Sequence, residues 1–147
     1  MNLVICSRQE IEAAIPQEPA IAICIAYPQG RLHKVVPLGN FLAVHHVRFS
    51  DCDAEGTYCF LKEQPPKAIP MTRGQAIDIL DFVEQWEERA ETLYIGCYGG
   101  ISRSAGIAAG LAAVFGWSDA PAYAPPRQPN AHCKSLIIRE AMTRSRR

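Results

Sequence analysis

The sequence predicts an α/β domain: a central, mostly parallel sheet flanked by helices, with a phosphate-binding loop between one strand and a buried helix. Three observations carry that prediction. Short apolar runs rich in β-branched residues alternate with helical patterns, the order that βαβ units produce. The run AIAICIAY at 20–27 is apolar throughout, with Ile at every second position, as in a strand covered on both faces. The stretch IGCYGGISRSAG at 95–106 passes from a strand through two glycines into a helix, where parallel sheets take their ligands. With 147 residues, the chain is read as a single domain, 1–147, long enough to bury a real core.

The elements follow in order. Residues 3–6, LVIC, form a short apolar run. A short amphipathic helix follows, with Ser7 as cap and Glu10 three residues later. After the strand at 20–27, YPQGRLH is a turn. FLAVHHVRF at 41–49 is the next strand, bounded by Gly39-Asn40 and by the polar SDCDAEG. Residues 55–70, with Gly56, Pro65, Pro66 and Pro70, are expected to be an irregular loop. In 72–91 Thr72 caps a helix whose Ala76, Ile79, Leu80, Val83 and Trp86 share one face, with Asp78, Asp81 and Glu88 pointing away. TLYIGC at 92–97 is a strand. Residues 104–116 form a helix apolar nearly all round, hence buried, ended by Gly116. A Pro-rich loop then leads to a final helix capped by Asn130.

Composition narrows the function. A hydrophobic fraction of 48% and a charged fraction of 20% are ordinary for a globular protein. Fifteen basic and fifteen acidic side chains cancel, which argues against duplex nucleic acid or an anionic membrane as partner. The basic tail (Arg139, Arg144, Arg146, Arg147) reads as a solvated helix end. The six cysteines show no secreted pattern, and the N-terminal stretch lacks a basic region before a long apolar run. The thiols are therefore read as reduced and the protein as cytoplasmic. The apolar run from Ala105 to Trp117 is too short to span a bilayer, so Gly106 and Gly110 read as sites of close helix packing.

The chemistry concentrates in residues 97–104. Gly99 and Gly100 allow backbone angles that other residues resist. Successive N–H groups of Tyr98, Gly99, Gly100, Ile101, Ser102 and Arg103 can then turn inward and cradle an anion, reinforced by the helix that follows. The same field favours the thiolate form of a cysteine at the start of the loop. Arg103 supplies a planar fork for two oxygens of a phosphate or sulfate. Nucleophile and oxyanion cradle thus share one short segment, as covalent phosphoryl transfer requires.

Cys97, Gly100, Arg103 and Ser104 in CYGGISRS resemble the signature loop of the cysteine-dependent protein tyrosine phosphatases, most closely the small dual-specificity type. That loop is Cys, any two residues, Gly, any two residues, Arg, then Ser or Thr. VRFSDCD at 47–53 looks like the family's strand and acid loop, and the Pro129-Asn130 of QPNAHCKSLI resembles the pair that opens its last helix. The resemblance covers residues 41–142. It implies that Cys97 attacks phosphorus to form a phosphocysteine, that Arg103 and the loop amides bind the equatorial oxygens, and that Ser104 stabilises Cys97 as leaving thiolate. An aspartate would protonate the leaving oxygen and later activate water. Alignment of Val47 and Phe49 with the family's inward strand residues favours Asp51 for that role over Asp53, whose alternative is turn chemistry. More residues separate Asp51 from Cys97 than in most of the family, and the surplus fits in the loop at 55–70. Gly96 stands where the family has His, which weakens the support for the thiolate.

Two other functions compete with a phosphatase. One is a rhodanese-like sulfurtransferase, although the Arg-Ser ending fits a phosphatase better. The other is a catalytically silent phosphate- or phosphopeptide-binding module. No metal or organic cofactor is implied. His45 and His46 are adjacent on a strand, so one is expected in the core and one exposed. Cys52, Cys59, Cys133 and His132 match no zinc spacing. The loop's only cation is Arg103, and no segment builds an obvious tyrosine-selective wall. These features point to a phosphorylated protein, rather than polyphosphorylated lipid or RNA ends, as substrate. Phosphotyrosine is then the main target, with phosphoserine and phosphothreonine as wider ones.

Overall fold

The computed structural model describes residues 1–35, 41–59 and 68–145. The Gly39-Asn40 boundary, Pro65 and Pro66 of the expected loop, and Arg146 and Arg147 of the tail lie outside the described residues. Four strands, β1 (Asn2–Ser7), β2 (Ala20–Ala26), β3 (Ala43–Arg48) and β4 (Thr92–Cys97), form a sheet in the order β1-β4-β2-β3. Every pairing is parallel, so the expected mostly parallel sheet is wholly parallel among the described residues. Cys97 ends β4, which lies between β1 and β2.

Side-chain alternation divides the core between the two faces. Ile21, Ile23 and Ile25 of β2, with Leu93 and Ile95 of β4, face three helices: α2 (Arg73–Trp86), α3 (Arg103–Phe115) and α5 (Ala131–Ser145). The other set, Ala20, Ala22 and Cys24, lies beneath Ile11 of α1 (Arg8–Glu12), Val35 and Phe41. Small residues on that face suit its thinner cover. Two of the three expected N-terminal caps form as capping boxes, Ser7 with Glu10 and Thr72 with Gln75, and Asn130 Oδ1 accepts from the Cys133 N–H ahead of the last helix.

Three features differ from the sequence reading. Helix α2 stops at Trp86 instead of continuing to 91. Its end is followed by a turn whose Ala90 N–H bonds the Trp86 carbonyl, and Glu91 then pairs with Pro19 ahead of β4. The Pro-rich loop contains a one-turn helix, α4 (Ala120–Tyr123), with Pro in its first turn, where a missing N–H costs nothing. His45 and His46 do point to opposite faces, but both are half-buried: His45 lies against Phe82 of α2, and His46 meets the Val35 carbonyl.

Gly106 and Gly110 let α3 approach α5 closely. A Cβ on Gly106 would lie 2.5 Å from the Asn130 carbonyl oxygen, and one on Gly110 would lie 2.9 Å from the Ile137 Cβ. No helix among the described residues is long and apolar enough to cross a membrane.

Candidate active site

The site is built where β4 gives way to α3. Cys97 is 3% exposed, at the floor of the loop. Its Sγ accepts from the Gly100 backbone N–H at 3.3 Å and lies 3.2 Å from the Ser104 Oγ. Gly100 makes that turn with φ of 68°, and a Cβ there would lie 2.6 Å from the Ser7 backbone nitrogen. Glycine is therefore required at Gly100. Gly99 has no such need: it is absent from the positive-φ positions, and its Cβ would meet only Ile101, at 3.7 Å.

Arg103, the first residue of α3, is 3% exposed. Its Nη1 donates to the Phe49 carbonyl at 2.9 Å, and its guanidinium lies over the Tyr27 ring, 4.3 Å from the centroid. No carboxylate pairs with it among the described residues. A buried cation without a counter-ion is unfavourable unless the site receives an anion.

Ser102, at the N-cap of α3, does not cap the helix. Its hydroxyl instead donates to Asp51 Oδ1 at 2.7 Å. The Asn130 side-chain N–H donates to the same oxygen at 2.9 Å and to the Cys52 carbonyl at 3.1 Å. Asn130 Oδ1 accepts from the Cys133 N–H, and the Asn130 backbone N–H donates to the Ser102 carbonyl. Asp51 is thus tied to the loop and to the start of α5 together. Asp53 has different partners: its Oδ1 accepts from the Glu55 and Thr57 backbone N–H groups at 3.0 and 2.9 Å, closing its own turn.

Against this geometry stand the comparisons with known proteins. No family model matches the chain, and no curated protein matches it. The crystal structure of Tk-PTP in its active form does overlay, covering 97% of this chain and 92% of its own, with 15% identity and a TM-score of 0.56. This is the protein tyrosine phosphatase fold. The human tyrosine phosphatase-like serine/threonine/tyrosine-interacting protein also overlays, over 88% of this chain and 78% of its own, with 17% identity and a TM-score of 0.48.

Within the phosphatase fold, Gly96 has a local explanation. It faces α1, and a Cβ there would lie 2.8 Å from the Ile11 Cγ2. Ile11, 1% exposed, fills the space that an imidazole at this position would occupy. The other five cysteines lie outside the loop, and each has its thiol raised. Burial pushes the Cys6 and Cys52 thiols up to about 11 and Cys24 up to about 12. Burial and the Asp51 carboxylate raise Cys59 to about 11, and burial raises Cys133 well above the usual range. These are protonated, unreactive thiols at neutral pH.

The sequence reading missed several neighbours. Tyr27 stands outside the residues the sequence singles out; its ring lies over Arg103 and 6.1 Å from that of Tyr98, which the sequence places in the cradle for its N–H alone. Aromatic surface therefore flanks the loop, where none was expected. Ser102 was assigned to the cradle alone, yet its side chain serves Asp51. Nothing in the sequence marks Arg8, whose backbone N–H donates to the Tyr98 carbonyl at 3.2 Å. A hydrophobic strand end followed by Tyr27 was the one signal available, and it does not distinguish a site residue from a surface tyrosine.

Proposed function

We propose that the chain is a phosphoprotein phosphatase acting through a phosphocysteine, with phosphotyrosine as its main substrate and phosphoserine and phosphothreonine within its range. The observation that carries this reading is the buried, carboxylate-free Arg103 beside a Cys97 thiol that already receives the Gly100 N–H and lies against the Ser104 hydroxyl. In the first step the Cys97 thiolate attacks phosphorus, the bond to the leaving oxygen breaks, and Asp51 gives that oxygen its proton. The Ser102 and Asn130 bonds both fall on Asp51 Oδ1 and hold the carboxyl group beside the loop. In the second step Asp51 takes a proton from water, the water oxygen attacks phosphorus, and the P–S bond breaks. Ser104 and the Gly100 N–H then stabilise the departing thiolate. Arg103 holds two phosphoryl oxygens throughout. The reaction needs no metal, and reduced thiols fit a cytoplasmic setting.

The test is phosphate release from a generic aryl phosphate by the wild type and Cys97→Ser. Loss of all measurable turnover in Cys97→Ser is expected. Full activity in that variant would end the reading. Phosphopeptide binding by the wild type without phosphate release would instead mark a silent binding module.

A further inference from the structure

Two neighbouring strand ends meet on the Arg103 side chain. Strand β2 ends at Ala26, and the next residue, Tyr27, places its ring centroid 4.3 Å from the guanidinium carbon. Strand β3 pairs with β2, and the Phe49 N–H just past its end bonds the Ala26 carbonyl at 3.1 Å. The Phe49 carbonyl in turn accepts from Arg103 Nη1. The two ends thus give a buried cation two neutral partners, an aromatic face and a carbonyl dipole.

Tyr27 is itself held in place. In the turn YPQG at 27–30 the Gly30 N–H donates to the Tyr27 carbonyl at 3.0 Å, and Pro28 stands where proline presets the turn's φ. The Gly30 carbonyl accepts from Arg48 Nε at 3.3 Å, which ties the turn to the end of β3. A second neighbour of the ring is Tyr98, whose carbonyl is held by the Arg8 N–H. Tyr27 is 44% exposed and belongs to neither core cluster, so its ring does not serve to fill the core.

The chemistry of these partners matters. A carboxylate beside Arg103 would neutralise it and compete with an incoming dianion. A ring face attracts the cation through its quadrupole and leaves the charge in place. Phe49 engages Nη1, and among the described residues Nε and Nη2 have no protein acceptor. That edge of the planar fork is free to take two oxygens side by side.

We propose that Tyr27 is a positioning residue for oxyanion binding: its ring fixes the Arg103 guanidinium so that the Nε–Nη2 edge meets the anion. The assignment rests on the phosphatase reading for the loop, which supplies phosphoryl oxygens as that anion. Tyr27 acts through Arg103 and not on the substrate's own ring.

Tungstate, a tetrahedral dianion without a ring, tests this by calorimetric titration of the full chain. Tyr27→Leu should bind it roughly three- to thirtyfold more weakly than the wild type, the range of a cation–π contact. Tyr27→Phe keeps the ring face and should stay within about twofold. A pentafluorinated phenylalanine at position 27 keeps the shape but reverses the quadrupole, and it should fall to the level of Tyr27→Leu. It carries the test if Tyr27→Leu fails to fold. Tyr123→Leu removes a similarly exposed tyrosine beside Lys134 and should leave tungstate affinity unchanged. With an aryl phosphate, kcat/KM of Tyr27→Leu should fall by the same factor as its tungstate affinity.

Unchanged tungstate affinity in Tyr27→Leu, or full affinity with the fluorinated ring, overturns the proposal. So does a loss confined to aryl phosphates, which would put Tyr27 against the substrate ring. A wild type that binds no tungstate overturns it as well. Tyr27-dependent tungstate binding without phosphate release from an aryl phosphate would keep the positioning role and end the phosphatase reading instead.

Discussion

The loop at 97–103 is held from two sides by different forces. On the α5 side, hydrogen bonds do the holding: Asp51 joins Ser102 and Asn130, and Asn130 joins Cys52 and Cys133. On the α1 side one backbone bond, from the Arg8 N–H to the Tyr98 carbonyl, adds to what is mainly packing. Ile11 presses on Gly96, and His33, 5% exposed, is buried with no hydrogen-bond partner for either ring nitrogen among the described residues. Hydrogen bonds fix atoms within tenths of an ångström, which proton transfer needs. The apolar side is fixed by close contact instead, and Gly96, where the signature-loop resemblance has His, lies there.

The largest effect should come from the bonded side. Asp51→Asn keeps an acceptor for Ser102 and Asn130 but cannot transfer a proton. Turnover of an aryl phosphate should fall about 10²–10⁴-fold with the folded structure intact. Asp53→Asn should leave turnover within about threefold, and a reversed ranking would move the acid to Asp53.

The next effect is on the α1 side and depends on pH. Burial holds His33 down to about 4, opposed by Glu12 and reinforced by Arg8, His46 and Arg103. The folded value lies below the ordinary 6.5, so the neutral imidazole contributes fully above pH 6.5. As pH falls from 6.5 towards 4, the unfolded chain takes up the proton first and stability is lost. The loss should reach about 2–3 kcal/mol. Burial lowers His45 as well and adds to the same slope. Urea unfolding of wild type and His33→Leu at pH 7 and pH 4.5 isolates the His33 share, because the variant should lose less stability on acidification.

Smaller again is the Gly96 contact. Gly96→Ala should cost about 1–3 kcal/mol, because its Cβ overlaps Ile11. Combined with Ile11→Ala, the loss should be at least about 1 kcal/mol less than the sum of the two. Strict additivity would show that Ile11 is not what keeps this position a glycine. Smallest of all is Asp53→Ala, which should cost about 1 kcal/mol of stability through its two turn bonds.

Much of this was legible along the chain. Alternating Ile in β2, the two capping boxes and the buried α3 are local patterns, and each appeared where local rules placed it. Other features depend on residues far apart in sequence. Asp51 and Asp53 carry the same loop-and-strand-end signal and differ only in whether Ser102 and Asn130 reach them. Helix α4 escaped notice because prolines dominate its stretch, although the first turn of a helix accepts them.

The sequence by itself determined the loop, because a cysteine, a glycine with positive φ and an arginine within one strand-to-helix turn are contiguous, and backbone geometry links them without help. The tertiary structure alone decided what surrounds that loop. It brought Tyr27 over Arg103, Asn130 onto Asp51, Ile11 onto Gly96, and Arg8 and Arg31 around Glu12. Each of those contacts except the Arg8–Glu12 pair joins segments of the chain that only the packing of helices against a parallel sheet brings within reach.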